Sequence, residues 1–322
     1  MGDNRGMSLV YAIPLRNRFR GITVREGMLL RGPAGWGEFC PFADYSDTES
    51  VPWLACALEA SEVGWPEPVR ERIEVNTTVP VVTPDRAYAM VAASGCRTAK
   101  VKVADPRSSI VDDCDRVAAV RDALGPGGAI RVDANMAWDV DTAVKAIREL
   151  DRAAAGLEYV EQPCPSIDDL AAVRRRVDVR IAADESIRRA EDPLKVAVAG
   201  AADVAVIKVA PLGGVRRALE VAQACGLPCV VSSAVETSVG LAAGLALAGA
   251  LPRLEFACGL GTMSLLTADV TADSLSPVDG YLPVPRTAPR PDLAEACAAE
   301  TPVRGAWLAR LDRVRTLVPR PS

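Results

Sequence analysis

Residues 99–103 read AKVKV, 130–135 IRVDAN, 157–163 LEYVEQP, 179–186 VRIAADES and 204–211 VAVIKVAP. Each is a short β-branched or apolar run that ends on a charged side chain. Alanine-rich amphipathic stretches lie between the runs, among them DDCDRVAAVRDAL (112–124), DTAVKAIRELDRAAA (141–155) and VRRALEVAQAC (215–225). Working outward, IEVNTTV (73–79) precedes this series, and CVVSSAV (229–235) and LEFACG (254–259) follow it. Strands that alternate with helical patterns imply βα units and a parallel sheet. The polar strand-end residues recur every 23 to 31 positions. That regularity over eight runs suits a (β/α)7β TIM-like barrel better than a doubly wound sheet. No G-x-G-x-x-G follows a strand, which removes the main support for a dinucleotide fold.

The barrel is expected over 73–264, and both chain ends lie outside it. GITVREGMLLRGPAGWGEFCPF (21–42) predicts two strands around the Glu26–Gly27 pair, and ESVPWLACALEASEVG (49–64) a short helix. The stretch 265–322 is Pro-rich before further short helices. Residues 1–72 and the returning 265–322 are therefore expected to form one smaller α+β capping domain.

Composition narrows the chemistry. The chain has 322 residues, a net charge of −5 and no histidine. The charge argues against a nucleic-acid surface. The amino terminus lacks a long apolar core with a cleavage site. The apolar stretch 239–251 is too short to span a bilayer. A soluble cytoplasmic protein is expected, with a small molecule as its partner, no nucleic acid and no membrane; oligomeric state stays open. The nine cysteines show no C-x-x-C pair, so reduced, buried thiols are expected. Of the 37 basic residues only five are lysines, and Lys100, Lys102 and Lys208 sit in the β-branched runs. Arginine holds its proton near neutral pH, whereas a desolvated lysine can release it. Without histidine, lysines and carboxylates must do any acid–base work.

Active sites of parallel barrels lie at the carboxyl ends of the strands. Residues i and i+2 of a strand point to one side. Lys100 and Lys102 would share the interior face of the second barrel strand, and Arg131 and Asp133 that of the third. Glu161, Asp184, Lys208 and Ser232 would end the next four. Three carboxylates, Asp133, Glu161 and Asp184, would then repel one another unless neutralised. Oxygen-only donors favour Mg²⁺, with Mn²⁺ as the alternative. Such a cation acts as a Lewis acid on a substrate carboxylate. Lysines on both sides suit removal of a proton next to that carboxylate. Asn135 and Glu185, adjacent to the acids, read as groups that orient them, with a cap or turn role for Asn135 equally open. A Schiff-base aldolase through Lys208 is the reading from another mechanistic class.

These motifs resemble the enolase superfamily. KVK (100–102) matches its K-x-K strand, and VDAN (132–135), EQP (161–163) and DES (184–186) its three ligand motifs. KVAPLGG (208–214) matches the opposing lysine, and GWGEFCPF (35–42) the capping hairpin. The lysine pair is similar to that of the muconate-lactonizing subgroup. Within it, RVDAN, SSAVETSVGL (232–241) and the compact length resemble the dehydratases of menaquinone biosynthesis. The resemblance implies that Asp133, Glu161 and Asp184 bind Mg²⁺ and that Lys102 takes the α-proton and then helps the hydroxyl leave. It implies that Lys208 stays protonated on the opposite face while Lys100 keeps the proton affinity of Lys102 low. The nearest rival inside the subgroup is an N-acylamino acid racemase or dipeptide epimerase. For the far carboxylate of the substrate, the candidates are Arg20 in the expected loop LRNRFRG (15–21), Arg131, Ser232, Ser233 and Gly259 in the CGLGT turn (258–262).

Overall fold

The computed structural model describes residues 8–188 and 194–318. Eight parallel strands form the barrel. They are numbered after the first three strands of the chain: β4 (Arg72–Val79), β5 (Thr98–Lys102), β6 (Ala129–Asp133), β7 (Tyr159–Glu161), β8 (Ile181–Ala183), β9 (Val204–Ile207), β10 (Cys229–Val231) and β11 (Cys258–Gly261). They pair in the order β10-β9-β8-β7-β6-β5-β4-β11, and a parallel bridge between Ser232 and Gly259 closes the ring. Helices cross over between successive strands. In Val140–Ala153, Ala143, Val144, Ala146, Ile147 and Leu150 are buried at three- and four-residue spacing. Asp139 starts that helix by accepting the Thr142 N–H at 2.8 Å.

The alternation of side chains sorts the barrel into two cores. Outward-facing residues such as Val101, Val132, Val160 and Ile207 pack beneath the helices. Inward-facing Tyr159, Ala182, Val204, Val206, Val230 and Phe256 form a separate apolar plug. Tyr159, Ala182, Val206 and Val230 lie two residues before Glu161, Asp184, Lys208 and Ser232. The plug therefore floors the layer that carries the polar strand ends.

An antiparallel sheet β1-β2-β3 covers the barrel mouth: β1 (Ser8–Phe19), β2 (Ile22–Gly32) and β3 (Gly35–Phe39). The Glu26–Gly27 pair expected at a hairpin turn lies instead inside β2, opposite Ala12 and Tyr11. Gly27 serves close approach rather than turning, because a Cβ there would run into the Tyr11 hydroxyl. The turn falls at Arg20–Gly21, where both residues have positive φ. Leu15–Phe19, expected in a loop, thus complete β1. The carboxyl-terminal segment returns to this sheet and to the barrel's first strand. Ala298 bridges Tyr11, Leu266 bridges Leu15, and β12 (Tyr281–Pro283) pairs with β4. Its last helix, Thr301–Leu317, is longer than expected and packs Trp307 edge-on against Phe39 at 5.9 Å between ring centroids.

The apolar run 239–251 forms most of the helix Ser238–Ala250, buried nearly all round between the barrel and β3. A Cβ at Gly240 would meet Glu38 at 2.9 Å, and one at Gly244 would meet Leu260 at 2.8 Å. Glycine there lets the helix sit close to both layers. No helix among the described residues is long and apolar enough to cross a membrane. All nine cysteines are free, and eight are buried.

Candidate active site

Parallel register brings the polar strand ends side by side. Lys102 is opposite Asp133 across β5 and β6, and Asp133 is opposite Glu161 across β6 and β7. Asp184 follows β8 directly, and Lys208 follows β9. Asp133, Glu161 and Asp184 are at most 1% exposed. Among the described residues no three acidic or thiol groups gather on one point. The expected convergence takes another form, because an ammonium group lies within reach of each acid. Lys102 Nζ donates to Asp133 Oδ2 at 2.5 Å, and Lys208 Nζ to Asp184 Oδ2 at 2.5 Å. Lys100 Nζ spans both oxygens of Glu161 at 2.9 and 3.1 Å.

Charge and burial then divide the lysines. Burial opposes the charge on Lys100, but Glu161 and Asp133 outweigh it and hold its ammonium well above the usual lysine range. Lys102 goes the other way. Burial lowers its proton affinity most; the pull of Asp133 opposes this, and the neighbouring Lys100 charge adds to the lowering. The Glu161 carboxyl is raised, first by burial and next by the Asp133 charge, with Asp184 adding to it. Asp133 is depressed: Lys102 and Lys100 overcome its burial.

A second row of side chains holds the acids. Asn135 receives Lys102 Nζ on Oδ1 at 2.7 Å, gives its backbone N–H to Asp133 Oδ1 at 3.0 Å, and donates Nδ2 to Glu185 Oε1 at 3.3 Å. Its φ of 45° places it in the left-handed region that Asn tolerates. Fully buried Gln162, not singled out from sequence, accepts the N–H groups of Asp184 and Ser186 on Oε1 at 2.9 and 3.1 Å. It ties the end of β7 to the start of the next acid-bearing turn. By its chemistry the donor set suits a hard divalent cation, although each of its carboxylates here meets an ammonium group and the three are not drawn to one point. It comprises three buried carboxylates on neighbouring strand ends, oxygen only, two of which push up the proton affinity of the third.

Above these groups lies a narrow cleft lined by Phe19, Arg20, Thr78, Lys100, Lys102, Asn135, Lys208, Ser232, Ser233, Val235, Gly259 and Thr262, among others. Arg20, Ser232, Ser233 and Gly259 therefore meet in one cleft. Ser233 Oγ is engaged, at 2.6 Å from Glu236 Oε2 and 2.9 Å from Thr262 Oγ1. Arg131 does not join them. It is fully buried below the site and donates to Glu158 Oε2 at 2.5 Å, Asn76 Oδ1 at 3.1 Å and the Ala257 carbonyl at 2.7 Å. Its guanidinium lies over the Tyr159 ring at 4.7 Å. The i, i+2 rule put Arg131 on the correct face but one layer too deep for substrate. Phe19, like Thr78 and Val235, is a cleft residue missed from sequence; its ring centroid lies 5.2 Å from Lys102 Nζ. The strand alternation of β1 signals its inward side, and the expectation of a loop over 15–21 hid it.

This fold and this site define a member of the enolase superfamily. Residues 83–289 match the family model described as Enolase C-terminal domain-like, and residues 10–61 the one described as Enolase N-terminal domain-like. The o-succinylbenzoate synthase of Thermobifida fusca is 63% identical over 306 residues, 95% of each chain. That of Mycolicibacterium smegmatis is 52% identical, over 96% of this chain and 95% of the relative. The chain belongs to the o-succinylbenzoate synthases of the enolase superfamily, which are carbon–oxygen lyases. Among solved structures, the L-Ala-D/L-Glu epimerase of Bacillus subtilis shares the fold at a TM-score of 0.74 and 24% identity, over 88% of this chain and 96% of that one. The muconate lactonizing enzyme of Pseudomonas putida does so at 0.73 and 20%, over 91% and 98%.

Proposed function

We propose that the cleft dehydrates 2-succinyl-6-hydroxy-2,4-cyclohexadiene-1-carboxylate to 2-succinylbenzoate by syn elimination, with Lys102 as the base. The observation that carries this is the environment of Lys102. Its Nζ reaches the cleft, burial lowers its proton affinity, and Asp133 and Asn135 fix its direction. Neutral Lys102 takes the proton at the ring carbon bearing the carboxylate. The C–H electrons pass into the carboxylate as an enediolate. Their return forms the aromatic double bond and expels the hydroxyl, which takes the proton back from Lys102 and leaves as water. Base and acid are one group on one face, which makes the elimination syn. Lys208, held by Asp184, keeps its charge and faces the enediolate from the other side. Asp133, Glu161 and Asp184 would hold a divalent cation, Mg²⁺ by their oxygen-only chemistry. When bound, that ion supplies Lewis-acid stabilisation to the carboxylate as it gains charge. Lys100 stays charged against Glu161 and helps keep Lys102 neutral.

In this reading the succinyl arm lies toward Arg20, Ser232, Ser233 and Gly259. The enzyme serves menaquinone biosynthesis in the cytoplasm. Its partner is a small free carboxylate rather than nucleic acid or membrane. The test is turnover of purified protein with Mg²⁺, comparing the wild type with Lys102→Ala. Formation of 2-succinylbenzoate that vanishes in a folded Lys102→Ala supports the reading; undiminished turnover in that variant refutes it.

A further inference from the structure

The helix Ile110–Leu124 packs behind β5 and carries a buried ion pair that the chemistry above does not use. Asp113 and Arg116 are 2% and 3% exposed, and Arg116 Nη1 donates to Asp113 Oδ1 at 2.7 Å. Each also holds the backbone at the end of β5. Arg116 Nη1 also donates to the carbonyl of Lys102 at 3.1 Å. Asp113 Oδ2 accepts the N–H of Ala104 at 2.7 Å. Between those two contacts the strand breaks. Val103 still donates its N–H to the Asp133 carbonyl at 3.1 Å, whereas Ala104 turns into the left-handed region at φ 62°. That conformation is unfavourable for any residue with a Cβ and persists only where its surroundings impose it. The pair extends further: Arg116 Nε donates to the Val82 carbonyl at 2.8 Å, and Ser108 Oγ donates to Asp113 Oδ1 at 2.8 Å. The loops after β4 and β5 are therefore tied to the same two side chains. They wall a second cleft that opens beside Lys102 and Asn135.

We propose that the Asp113–Arg116 pair is a positioning device for Lys102, gripping the backbone on both sides of the break so that the lysine leaves the sheet at one fixed point. This rests on the reading of Lys102 as the base. Neither residue lines the clefts, so both act through the backbone and neither is catalytic. A buried ion pair contributes little to net stability compared with an apolar packing of the same shape, so stability alone is a weak reason for placing one here. Specification of one backbone geometry accounts for where its donors and acceptor go.

The experiment measures kcat, KM and the primary isotope effect on the abstracted proton in the full chain with Mg²⁺. The variants are Asp113→Asn, Arg116→Lys, Lys102→Ala, Ala104→Gly and the double variant Asp113→Asn/Ala104→Gly. Asp113→Asn is isosteric and turns an amide N–H₂ toward either the Ala104 N–H or Arg116, so the fold can persist while one arm of the grip is lost. Misplacing a reacting group by an ångström costs on the order of 100-fold. Asp113→Asn and Arg116→Lys are expected to lower kcat roughly 10- to 100-fold with KM within about twofold, and to raise the isotope effect. Ala104→Gly removes the need to enforce the left-handed turn, so the double variant is expected to recover several-fold of the lost kcat. Unchanged kcat in folded variants, a loss confined to KM, an unmoved isotope effect, or no recovery by Ala104→Gly would overturn the proposal. Lys102→Ala separates the two readings. Its inactivity beside fully active Asp113→Asn and Arg116→Lys ends the positioning role alone, whereas an active Lys102→Ala ends both.

Discussion

Arg25 of the capping sheet donates its Nε to the carbonyl of Val235 in the barrel at 3.0 Å. Val235 has φ 63°, and for a β-branched residue that left-handed conformation costs about 1–3 kcal/mol. Its side of the cleft includes Ser233 and Ala234. Arg25 is 2% exposed, also donates to the Cys40 carbonyl at 2.5 Å and lies over the Phe42 ring. The cap thus holds a strained piece of the cleft wall in place. Arg25→Met is expected to destabilise the fold by about 1.5–3 kcal/mol, the range for a lost charge-assisted hydrogen bond. It is also expected to raise KM more than it lowers kcat. Thermal unfolding and steady-state kinetics on one preparation check both, and a normal KM would detach the cap from this wall.

Arg131 gives the opposite pattern. Its contacts are Glu158, Asn76, the Ala257 carbonyl and the Tyr159 ring, all beneath the acid-bearing layer. Arg131→Met therefore is expected to cost about 1–3 kcal/mol of stability through groups left unpaired. In the folded fraction, kcat/KM should stay within about threefold of wild type, because no substrate contact is lost. Chemical denaturation and kinetics decide; a selective rise in KM would restore a substrate role to this arginine.

The acids predict a metal requirement with a measurable binding step. Exhaustive chelation should abolish dehydration, and Mg²⁺ should restore it, with Mn²⁺ as the comparison. Loss of Lewis-acid stabilisation is worth several kcal/mol, roughly a thousandfold in rate. Glu161→Gln removes one charge from the three acids and should weaken Mg²⁺ affinity in direct calorimetric titration as well as turnover. Activity indifferent to chelation would end the metal reading.

What could be read from the chain alone divides by range. Barrel order followed from repeated β-branched runs, and the positions of Lys102, Asp133, Glu161, Asp184 and Lys208 followed from strand periodicity. Both signals are local. Arg131 shows where the period stops informing: it fixes the face of a strand but not the depth along the barrel axis. The Glu26–Gly27 pair misled because glycine serves turns and close contacts alike, and only Tyr11, sixteen positions upstream, tells which. Gln162 escaped notice because its role depends on partners from another turn, and Phe19 because reading 15–21 as a loop conceals the alternation of its strand. The backbone contacts of Asp113 and Arg116 carry no pattern in sequence beyond an i, i+3 pair of opposite charges on a helix.

The two flanking lysines are chemically unequal in a one-base elimination, and that inequality can be measured. Lys102 must accept a proton and then give it up, whereas Lys208, tied to Asp184, needs only to present a cation. Arginine keeps a charge but does not give up its proton at working pH. Lys102→Arg should therefore lose the general-base contribution, roughly 10² to 10⁴-fold in kcat. Lys208→Arg retains a cation on the correct face and should keep a larger share of turnover. A racemase of the same subgroup would need both lysines to exchange protons, so the two arginine variants would fail alike. Reaction in D₂O supplies the second readout. One-base dehydration yields aromatic product without exchange into a recovered N-acyl amino acid, whereas two-base racemisation places deuterium at its α-carbon. Equal loss in both variants, together with such deuterium uptake, would reassign the cleft to racemisation.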